Sequence, residues 1–359
     1  MKIVIIGQFG IEAFGFHIKE NLEAMGHEVV ACIPFSNDKN VMMYRVTPID
    51  KVINKIKRKM LFASPRLRRF SLKHIFVALK HIKCDLVICT YDYFLPDEIE
   101  LIRKITGGKI ILWFPDAISN YQRGLAIIAG YDALFYKEPY IVKYLHDIYK
   151  LNVFYLPEAF SKLRHTPTCD YHNENVLKDK YRCDIVMIGS LHSARLPLLE
   201  RLTDFDLKIY GNRGTWWLNT SKVIQYHTNK FLSNHDKADA IKYAKISLNT
   251  IDPPEIYGVN VRTFEYAGAG GFQIAQHKKA IGDLFVCDRE IVTYRTMDEM
   301  IQKVRYYLGH NDERNKIANA GKIRAWKDHD YQKRLTRLIN MTFKENIIDE
   351  DRFDYRILK

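Results

Sequence analysis

The chain has 359 residues, too many for one comfortable hydrophobic core, so two domains are expected. Its composition, 47% hydrophobic and 27% charged, is that of a globular protein, and no apolar run reaches the roughly 18–20 residues of a membrane span. The net charge is +13, and the six scattered cysteines show neither a disulfide framework nor zinc-ligand spacing. The N-terminal MKIVIIGQFG is interrupted by glycine too soon for a signal peptide, so a cytoplasmic location is expected.

The chain opens with a strand, a glycine-punctuated loop, a helix and a second strand. The apolar run Lys2–Gly7 is typical of a buried parallel strand, a helix is predicted over roughly His17–Met25, and His27–Ile33 is the next strand. A nicotinamide-dependent oxidoreductase opens in the same order. Its glycine spacing differs, however, and this second strand lacks the acidic residue that would hold a ribose hydroxyl. An oxidoreductase therefore stays the lesser alternative.

His17 is the candidate catalytic residue of this opening. It lies at the start of the first helix and at the carboxyl end of the first strand, where doubly wound sheets bind their ligands. The alternative is an exposed histidine with no role beyond the helix start.

The positive charge is concentrated in residues 51–83, which contain eleven Lys or Arg and no Asp or Glu. Ile, Leu, Phe and Met are interleaved with the basic residues, so the segment is amphipathic. This pattern suits an anionic membrane surface, such as the inner face of the membrane, or a polyanionic acceptor. No nucleic-acid recognition motif accompanies it, so nucleic acid is not an expected partner. A solvated pair of basic helices is the alternative interpretation.

Further apolar runs follow, and each ends in polar residues. They span Cys84–Tyr91, Gly107–Phe114, Tyr131–Tyr136 and Val153–Leu156. Because parallel strands end at the same edge of a sheet, these polar residues are expected to line one rim. Asp116, two residues after the second of these runs, would share that rim with His17. Residues 1–160 are therefore predicted to form a first Rossmann-like domain with five or six parallel strands.

The polar stretch 161–182 lacks apolar periodicity and is predicted to be a linker. The architecture then restarts as a second Rossmann-like domain over residues 183–330. Its predicted strands are Cys183–Ile188, Leu207–Tyr210, Ile246–Asn249 and Glu290–Tyr294, and two helices are expected over 297–326, the second flanked by Gly321. Residues 331–359 would form a C-terminal helix that returns to the first domain, followed by a tail. The predicted fold class is α/β, with the two domains facing across a cleft.

The stretch 246–276 reads as strand, loop, short helix, glycine stop and strand. Asn260 is expected to cap the helix through its side chain, and the glycines within 268–271 are expected to end it. The free amides and dipole of a helix start bind anions, and Arg262 would add a planar cation suited to phosphate. Glu265, one turn further, could accept two sugar hydroxyls. An ordinary strand–helix connection with a surface Arg and Glu is the alternative.

With these residues located, the chain resembles the GT-B glycosyltransferases, and most closely the CgeB-like group of the glycosyltransferase group 1 type. Gly15-x-His17 and Trp113-Phe114-Pro115-Asp116 are similar to motifs of the first domain. In the second domain, residues 259–265 are close to the pattern V-N-x-R-x-F-E. Glu255-x-Tyr257-Gly258 resembles the E-x-F-G of retaining enzymes. In those enzymes seven residues separate the first acid from the second, whereas here nine residues separate Glu255 from Glu265.

The resemblance implies transfer of a sugar from a nucleotide-sugar donor to a glycan, lipid-linked or protein acceptor. The first domain would hold the acceptor, with His17 or Asp116 positioning or deprotonating its hydroxyl. Glu255 would contact the donor sugar and Glu265 the ribose, and the E-x-Y-G…E pattern leans towards retention of configuration. The implied donor-binding residues of the second domain are Gly189, Ser190, Arg195, Gly211, Tyr257, Gly258, Asn260, Arg262 and Glu265.

No D-x-D motif stands out, so no metal and no cofactor beyond the donor are expected. Fixed cations and the helix dipole would stabilise the leaving diphosphate instead. The alternative from another class is a catalytically silent GT-B-like binding or assembly protein, which the longer Glu255–Glu265 spacing favours.

Overall fold

The computed structural model describes residues 1–33, 48–117, 119, 124–168 and 174–353. Its strands, in chain order, are β1 Lys2–Ile6, β2 Glu28–Cys32, β3 Leu86–Cys89, β4 Lys109–Phe114, β5 Ala133–Tyr136, β6 Val153–Tyr155, β7 Cys183–Ile188, β8 Leu207–Tyr210, β9 Ala244–Asn249, β10 Gln273–Gln276 and β11 Val292–Tyr294. Its α-helices are α1 Phe14–Ala24, α2 Pro48–Met60, α3 Pro65–Leu79, α4 Pro96–Thr106, α5 Pro139–Tyr149, α6 Glu174–Tyr181, α7 Leu196–Glu200, α8 Asn234–Tyr243, α9 Arg262–Gly268, α10 Ile281–Leu284, α11 Met297–Gly309, α12 Asn311–Asp328, α13 Tyr331–Phe343 and α14 Asp349–Arg352.

The chain divides into two compact units. The first contains Met1–Lys137, Ile141–Leu156 and residues 335–353, and the second contains Glu138–Tyr140 and Pro157–Arg334. Each unit has one parallel sheet, of six and five strands respectively. The prediction of two Rossmann-like α/β units is confirmed.

The sheet of the first unit has the strand order β2-β1-β3-β4-β5-β6. Its central strands are near-continuous runs of buried apolar residues, as in β1, where Ile3–Ile6 have no exposed surface. Such runs are expected of parallel strands, because helices cover both faces of the sheet. Two features stabilise the amino end of α4, one of these covering helices. Pro96 takes its first position, and the Glu98 carboxylate accepts the Leu95 amide at 2.8 Å.

The sheet of the second unit has the order β11-β10-β9-β7-β8, again with every neighbouring pair parallel. Strands β7 and β9 therefore lie side by side although α7, β8 and α8 separate them in sequence. Ile185 pairs with Ile246 in this register. As a result, the loops that follow Ile188 and Asn249 leave the sheet next to each other.

Three element predictions need correction. The first helix begins at Phe14, so His17 lies in its first turn rather than at its start. The predicted linker contains α6, whose Tyr181 is buried. Gly321 lies inside α12 rather than beside it. A glycine fits at this position because a Cβ there would come within 2.4 Å of the Glu290 carbonyl oxygen.

The C-terminal helix α13 passes from the second unit into the first at Leu335. Near its end, the Thr342 carbonyl accepts the Lys109 ammonium at 2.8 Å, so the predicted return to the first unit is confirmed. No helix within the described residues has both the length and the apolar composition needed to cross a bilayer. Among the described cysteines all five are free thiols, in agreement with the sequence, and Cys169 lies outside the described residues.

Candidate active site

Two arginines lie over the glycine that follows β7. Gly189 has φ of +142°, and a Cβ on it would come within 2.5 Å of Arg262 Nη1 and 2.9 Å of Arg195 Nη1. Only glycine leaves this space and adopts this backbone easily. The chain thus holds two guanidinium groups together above one Cα atom, and one of them, Arg262, belongs to the helix start that the sequence predicted to bind an anion.

Burial destabilises the positive charge of the Arg195 side chain. It is 4% exposed, and burial together with the charge of Arg262 lowers its pKa to about 9. That value is still well above neutral pH, so the guanidinium stays charged. Its Nε has no hydrogen-bond partner among the described residues. A buried cation beside a like charge, with a donor left over, is an arrangement that an anion would stabilise.

Arg262 is held by the end of strand β9. Its Nη2 donates to the Thr250 carbonyl at 3.1 Å and its Nε to Asn249 Oδ1 at 3.4 Å. Asn260 holds the same strand end, because its amide donates to Asn249 Oδ1 and to the Thr250 carbonyl, both at 3.0 Å. The predicted cap at Asn260 is therefore wrong. The helix starts at Arg262, after Val261, and the Asn260 side chain stabilises the position of Arg262 instead.

One carboxylate partly balances the arginine pair. Asp252 Oδ1 lies 3.6 Å from Arg195 Nη2 and 2.8 Å from His192 Nε2. Burial would raise the pKa of Asp252, but the hydrogen bond from His192 and the charge of Arg195 hold it below its ordinary value. The carboxylate is therefore ionised at neutral pH, and one negative charge faces two guanidiniums. Arg195 also donates to the Ser190 carbonyl.

Glu265 forms a buried ion pair, so it is not the surface carboxylate of the alternative interpretation. Its Oε1 accepts Lys237 Nζ at 2.7 Å, with the two side chains only 4% and 10% exposed. His165 Nδ1 accepts the Ser161 amide at 3.1 Å, which leaves the proton on Nε2, 3.6 Å from the same Glu265 oxygen. Glu265 Oε2 has no partner among the described residues and keeps its acceptor capacity.

The amides of the Gly258 loop are already used by an internal carboxylate. Glu138, which belongs to the second unit, accepts the amides of Ile256 at 2.9 Å, Tyr257 at 3.0 Å and Gly258 at 2.9 Å. The expectation that this loop offers free amides to a phosphate is therefore corrected. Three successive amides of this loop donate to one anion, the Glu138 carboxylate.

The other predicted donor-site residues are placed as follows. Gly189 and Gly211 donate their amides to the carbonyls of Tyr210 at 2.8 Å and Lys230 at 2.9 Å, so neither amide is available to a ligand while these bonds are kept. Tyr257 packs edge-on against Tyr140, with ring centroids 5.7 Å apart. Glu255 is buried, and its carbonyl accepts the Lys278 ammonium.

In the first unit, His17 and Asp116 follow strands β1 and β4, which are separated only by β3. Both lie at the carboxyl edge of the sheet, as predicted, but His17 is buried rather than exposed. Asp116 is half-buried, and its Oδ1 accepts the Ala117 amide at 3.0 Å.

Asp92, which follows the intervening strand β3, is a candidate that sequence reasoning missed. Burial raises its pKa to about 6, against hydrogen bonds from the amides of Ala126 and Leu125. Its Oδ1 has no partner among the described residues. A carboxylate that titrates near neutral pH is suited to accept a proton. The Tyr-Asp-Tyr after an apolar run was the available signal, but burial of the loop could not be inferred from it.

Residues 194–340 match the protein-family model described as glycosyl transferase-like. No curated protein sequence matches the chain. A solved glycosyltransferase from Rickettsia africae is similar over 96% of this chain and 99% of that one, at 13% identity and a TM-score of 0.65. A sucrose-phosphate synthase from Thermosynechococcus elongatus aligns over 95% and 98% of the two chains, at 12% identity and a TM-score of 0.64.

The protein HepE of Anabaena, solved in complex with UDP-glucose, is similar at 11% identity and a TM-score of 0.64, over 95% of this chain and 98% of that one. At such identities the structural likeness concerns the fold. Together with the family match, it confirms the resemblance to GT-B glycosyltransferases. The chain therefore has the GT-B fold, and its residues 194–340 are glycosyl transferase-like by the family match, whereas the CgeB-like subgroup stays a prediction.

Proposed function

We propose that this protein is a glycosyltransferase that uses a nucleotide-sugar donor and binds the donor's diphosphate between Arg195 and Arg262. The observation that supports this is the pair of guanidiniums above Gly189, each within 3 Å of the point that a Cβ on this residue would occupy, and balanced by one carboxylate. A diphosphate would supply the missing negative charge and accept the unused Arg195 Nε. The complex of Anabaena HepE with UDP-glucose is a precedent on the same fold.

The same two residues would serve the reaction as well as binding. As the bond between sugar and phosphate breaks, negative charge grows on the diphosphate, and fixed guanidiniums stabilise that charge without reorganising. We infer that they take the place of a metal ion, so transfer should persist in EDTA. The motif Glu255-x-Tyr257-Gly258 favours retention of configuration, which analysis of the product's anomeric centre would test.

Glu265 is proposed to bind the ribose of the nucleotide. Its Oε2 is a buried acceptor without a described partner, and the ion pair with Lys237 fixes the carboxyl group in one orientation. A ribose hydroxyl would satisfy this oxygen at little entropic cost, since the group is already immobile.

The acceptor is proposed to bind at the carboxyl edge of the first sheet, where Asp92 lies between the strand ends that carry His17 and Asp116. Asp92 joins them as the candidate to receive the proton of the acceptor hydroxyl, because its pKa of about 6 suits a base at neutral pH. A glycan, lipid-linked or protein acceptor would all present such a hydroxyl.

The test is nucleotide binding by calorimetry, with UDP, GDP and dTDP offered to the wild type and to Arg195→Ala and Arg262→Ala. We expect one diphosphate to bind the wild type, and each variant to lose about tenfold to a hundredfold in affinity, as for a hydrogen bond to a charged group. Arg201→Ala is the matched control, since Arg201 pairs with Asp298 on the surface. Failure of all three nucleotides would overturn the donor-site assignment.

A catalytically silent GT-B-like protein is the second candidate. The occupation of the loop amides by Glu138 favours it, because that loop then offers nothing further to a donor. Slow hydrolysis of a bound nucleotide-sugar would exclude this candidate. Tight nucleotide binding without hydrolysis or transfer to any acceptor would support it.

A further inference from the structure

Helices α2 and α3 expose large apolar side chains to solvent. Seven such residues between positions 52 and 77 are from 40% to 65% exposed: Val52, Ile53, Ile56, Phe62, Leu67, Phe70 and Val77. Helices of globular proteins normally turn their apolar stripe towards the core. This concentration of exposed apolar surface therefore needs a separate explanation.

The exposed stripe on α2 follows helical spacing. The positions of Val52, Ile53 and Ile56 differ by one, three and four, which places the three side chains on one face of the helix. Lys55 and Lys59 are exposed on the adjoining surface. The helix is thus amphipathic in the usual sense, but its apolar face points outward.

Helix α3 is firmly packed on its other side, so the exposure does not come from a detached segment. Leu72, Ile75 and Leu79 have no exposed surface. Arg68 forms a buried ion pair with Glu98, with Nε 2.7 Å from Oε1. One face of α3 belongs to the core of the unit, while Phe70 on the other remains open to solvent.

Two hydrogen bonds tie α3 to α2 and to Leu61, the residue that follows α2. Ser71 Oγ donates to the Lys57 carbonyl at 3.0 Å, and Arg68 Nη1 donates to the Leu61 carbonyl at 3.1 Å. The exposed apolar side chains of both helices are therefore carried by one anchored helix pair.

The charge of this surface has one sign. Residues 51–83 contain no Asp or Glu, and Lys55, Lys59, Arg66, Arg69, Lys73 and Lys80 are all exposed. An acidic protein partner or nucleic acid would account for the charge. Neither requires so many exposed Val, Ile, Leu and Phe side chains, whereas a lipid interface takes up both groups at once.

We propose that α2 and α3 form a docking surface for an anionic lipid bilayer. The apolar side chains enter the boundary between headgroups and acyl chains, and the lysines and arginines lie among the lipid phosphates. This attachment goes beyond the transfer reaction and does not depend on the identity of the donor, so it is tested without activity.

The experiment is co-sedimentation with vesicles of phosphatidylcholine alone and of phosphatidylcholine mixed with phosphatidylglycerol. The full chain is expected to bind the mixed vesicles, to ignore the neutral ones and to dissociate in high salt. We expect two variants to bind the mixed vesicles no better than the wild type binds the neutral ones. They are Ile53→Ser/Ile56→Ser/Phe70→Ser and Lys55→Glu/Lys59→Glu/Lys73→Glu. The control is Phe231→Ser/Ile323→Ser, which removes two equally exposed apolar residues of the second unit.

Three results would overturn the proposal. They are wild-type protein that ignores anionic vesicles, an apolar variant that binds them as well as the wild type, and a self-associating wild type that the apolar variant renders monomeric. Unchanged circular dichroism and thermal unfolding of the variants would show that loss of binding is not loss of folding. If the first result is accompanied by tight binding of nucleic acid, nucleic acid is the partner of this surface instead.

Discussion

The carboxylate of Glu138 accepts the backbone amide of Gly258 at 2.9 Å, across 120 positions of sequence. The neighbouring amides of Ile256 and Tyr257 donate to the same carboxylate. A loop that looked from the sequence like an open anion site is therefore closed by an acidic side chain. The proposed diphosphate site consequently depends on arginine side chains rather than on these amides.

Replacement of Glu138 by glutamine should destabilise the protein by about 1–3 kcal/mol. The NH2 group of the glutamine side chain cannot accept a hydrogen bond, so a buried backbone amide of the loop loses its acceptor. The free energy of unfolding in denaturant measures this. Glu100→Gln is the control, since Glu100 is exposed and pairs with Arg103 three residues further on. Nucleotide affinity should change little, because the proposed diphosphate site depends on Arg195 and Arg262 rather than on these amides. Unchanged stability would show that the three hydrogen bonds contribute nothing net.

Anions should stabilise the protein through Arg195. Sulfate or a nucleoside diphosphate is expected to raise the melting temperature of the wild type, because either would relieve the repulsion between Arg195 and Arg262. In Arg195→Ala this rise should be lost, while the melting temperature without anion changes little, since a strained buried cation has been removed. Scanning calorimetry with and without added sulfate measures both effects. An equal rise in wild type and variant would contradict the proposed site.

The ion pair of Lys237 with Glu265 should be costly to break on one side. Lys237→Met leaves a buried carboxylate without its cation and is expected to lower the free energy of unfolding by about 3–5 kcal/mol. Adding Glu265→Leu should recover much of that loss, because no unpaired charge then remains. The half-exposed pair of Lys245 and Asp184 is the control, expected to be worth about 0–1 kcal/mol. A double-mutant cycle from denaturant unfolding measures both pairs.

The pH dependence of stability should reveal Asp92. Its folded pKa of about 6 lies above the ordinary value of 3.8, so protonated Asp92 stabilises the fold and this contribution is lost as pH rises through about 6. Asp92→Asn cannot lose a proton. The melting temperature of the variant relative to the wild type should therefore rise between about pH 4 and pH 6.5 and level off above. A constant difference would mean that the carboxyl group titrates normally.

If Asp92 also acts as the base, the acid limb of kcat/KM near pH 6 should disappear in Asp92→Asn and persist in Asp116→Asn. If the acid limb persists in both variants, His17 becomes the candidate base, and the pH profile of His17→Ala would test it. The exposed Asp97→Asn serves as the control in the same unit.

Much of the fold could be predicted, because parallel strands buried on both faces are written as continuous apolar runs. The run in β1 and the restart at β7 marked both sheets, and the glycines from Gly268 onward located the end of the short helix of the site. Interactions between residues distant in sequence could not be inferred. Lys237 looks like an ordinary helix surface lysine, and only packing shows that it meets Glu265.

The sequence by itself determined the two-unit α/β architecture, the basic amphipathic segment and the arginine of the short helix, since each depends on local period or composition. Tertiary structure decided which charges meet. The adjacency of β7 and β9 brings Arg195 to Arg262 above Gly189, and Glu138 reaches the amides around Gly258. Burial then set the electrostatics, because the cost of a charge depends on its surroundings in space and not on its neighbours along the chain.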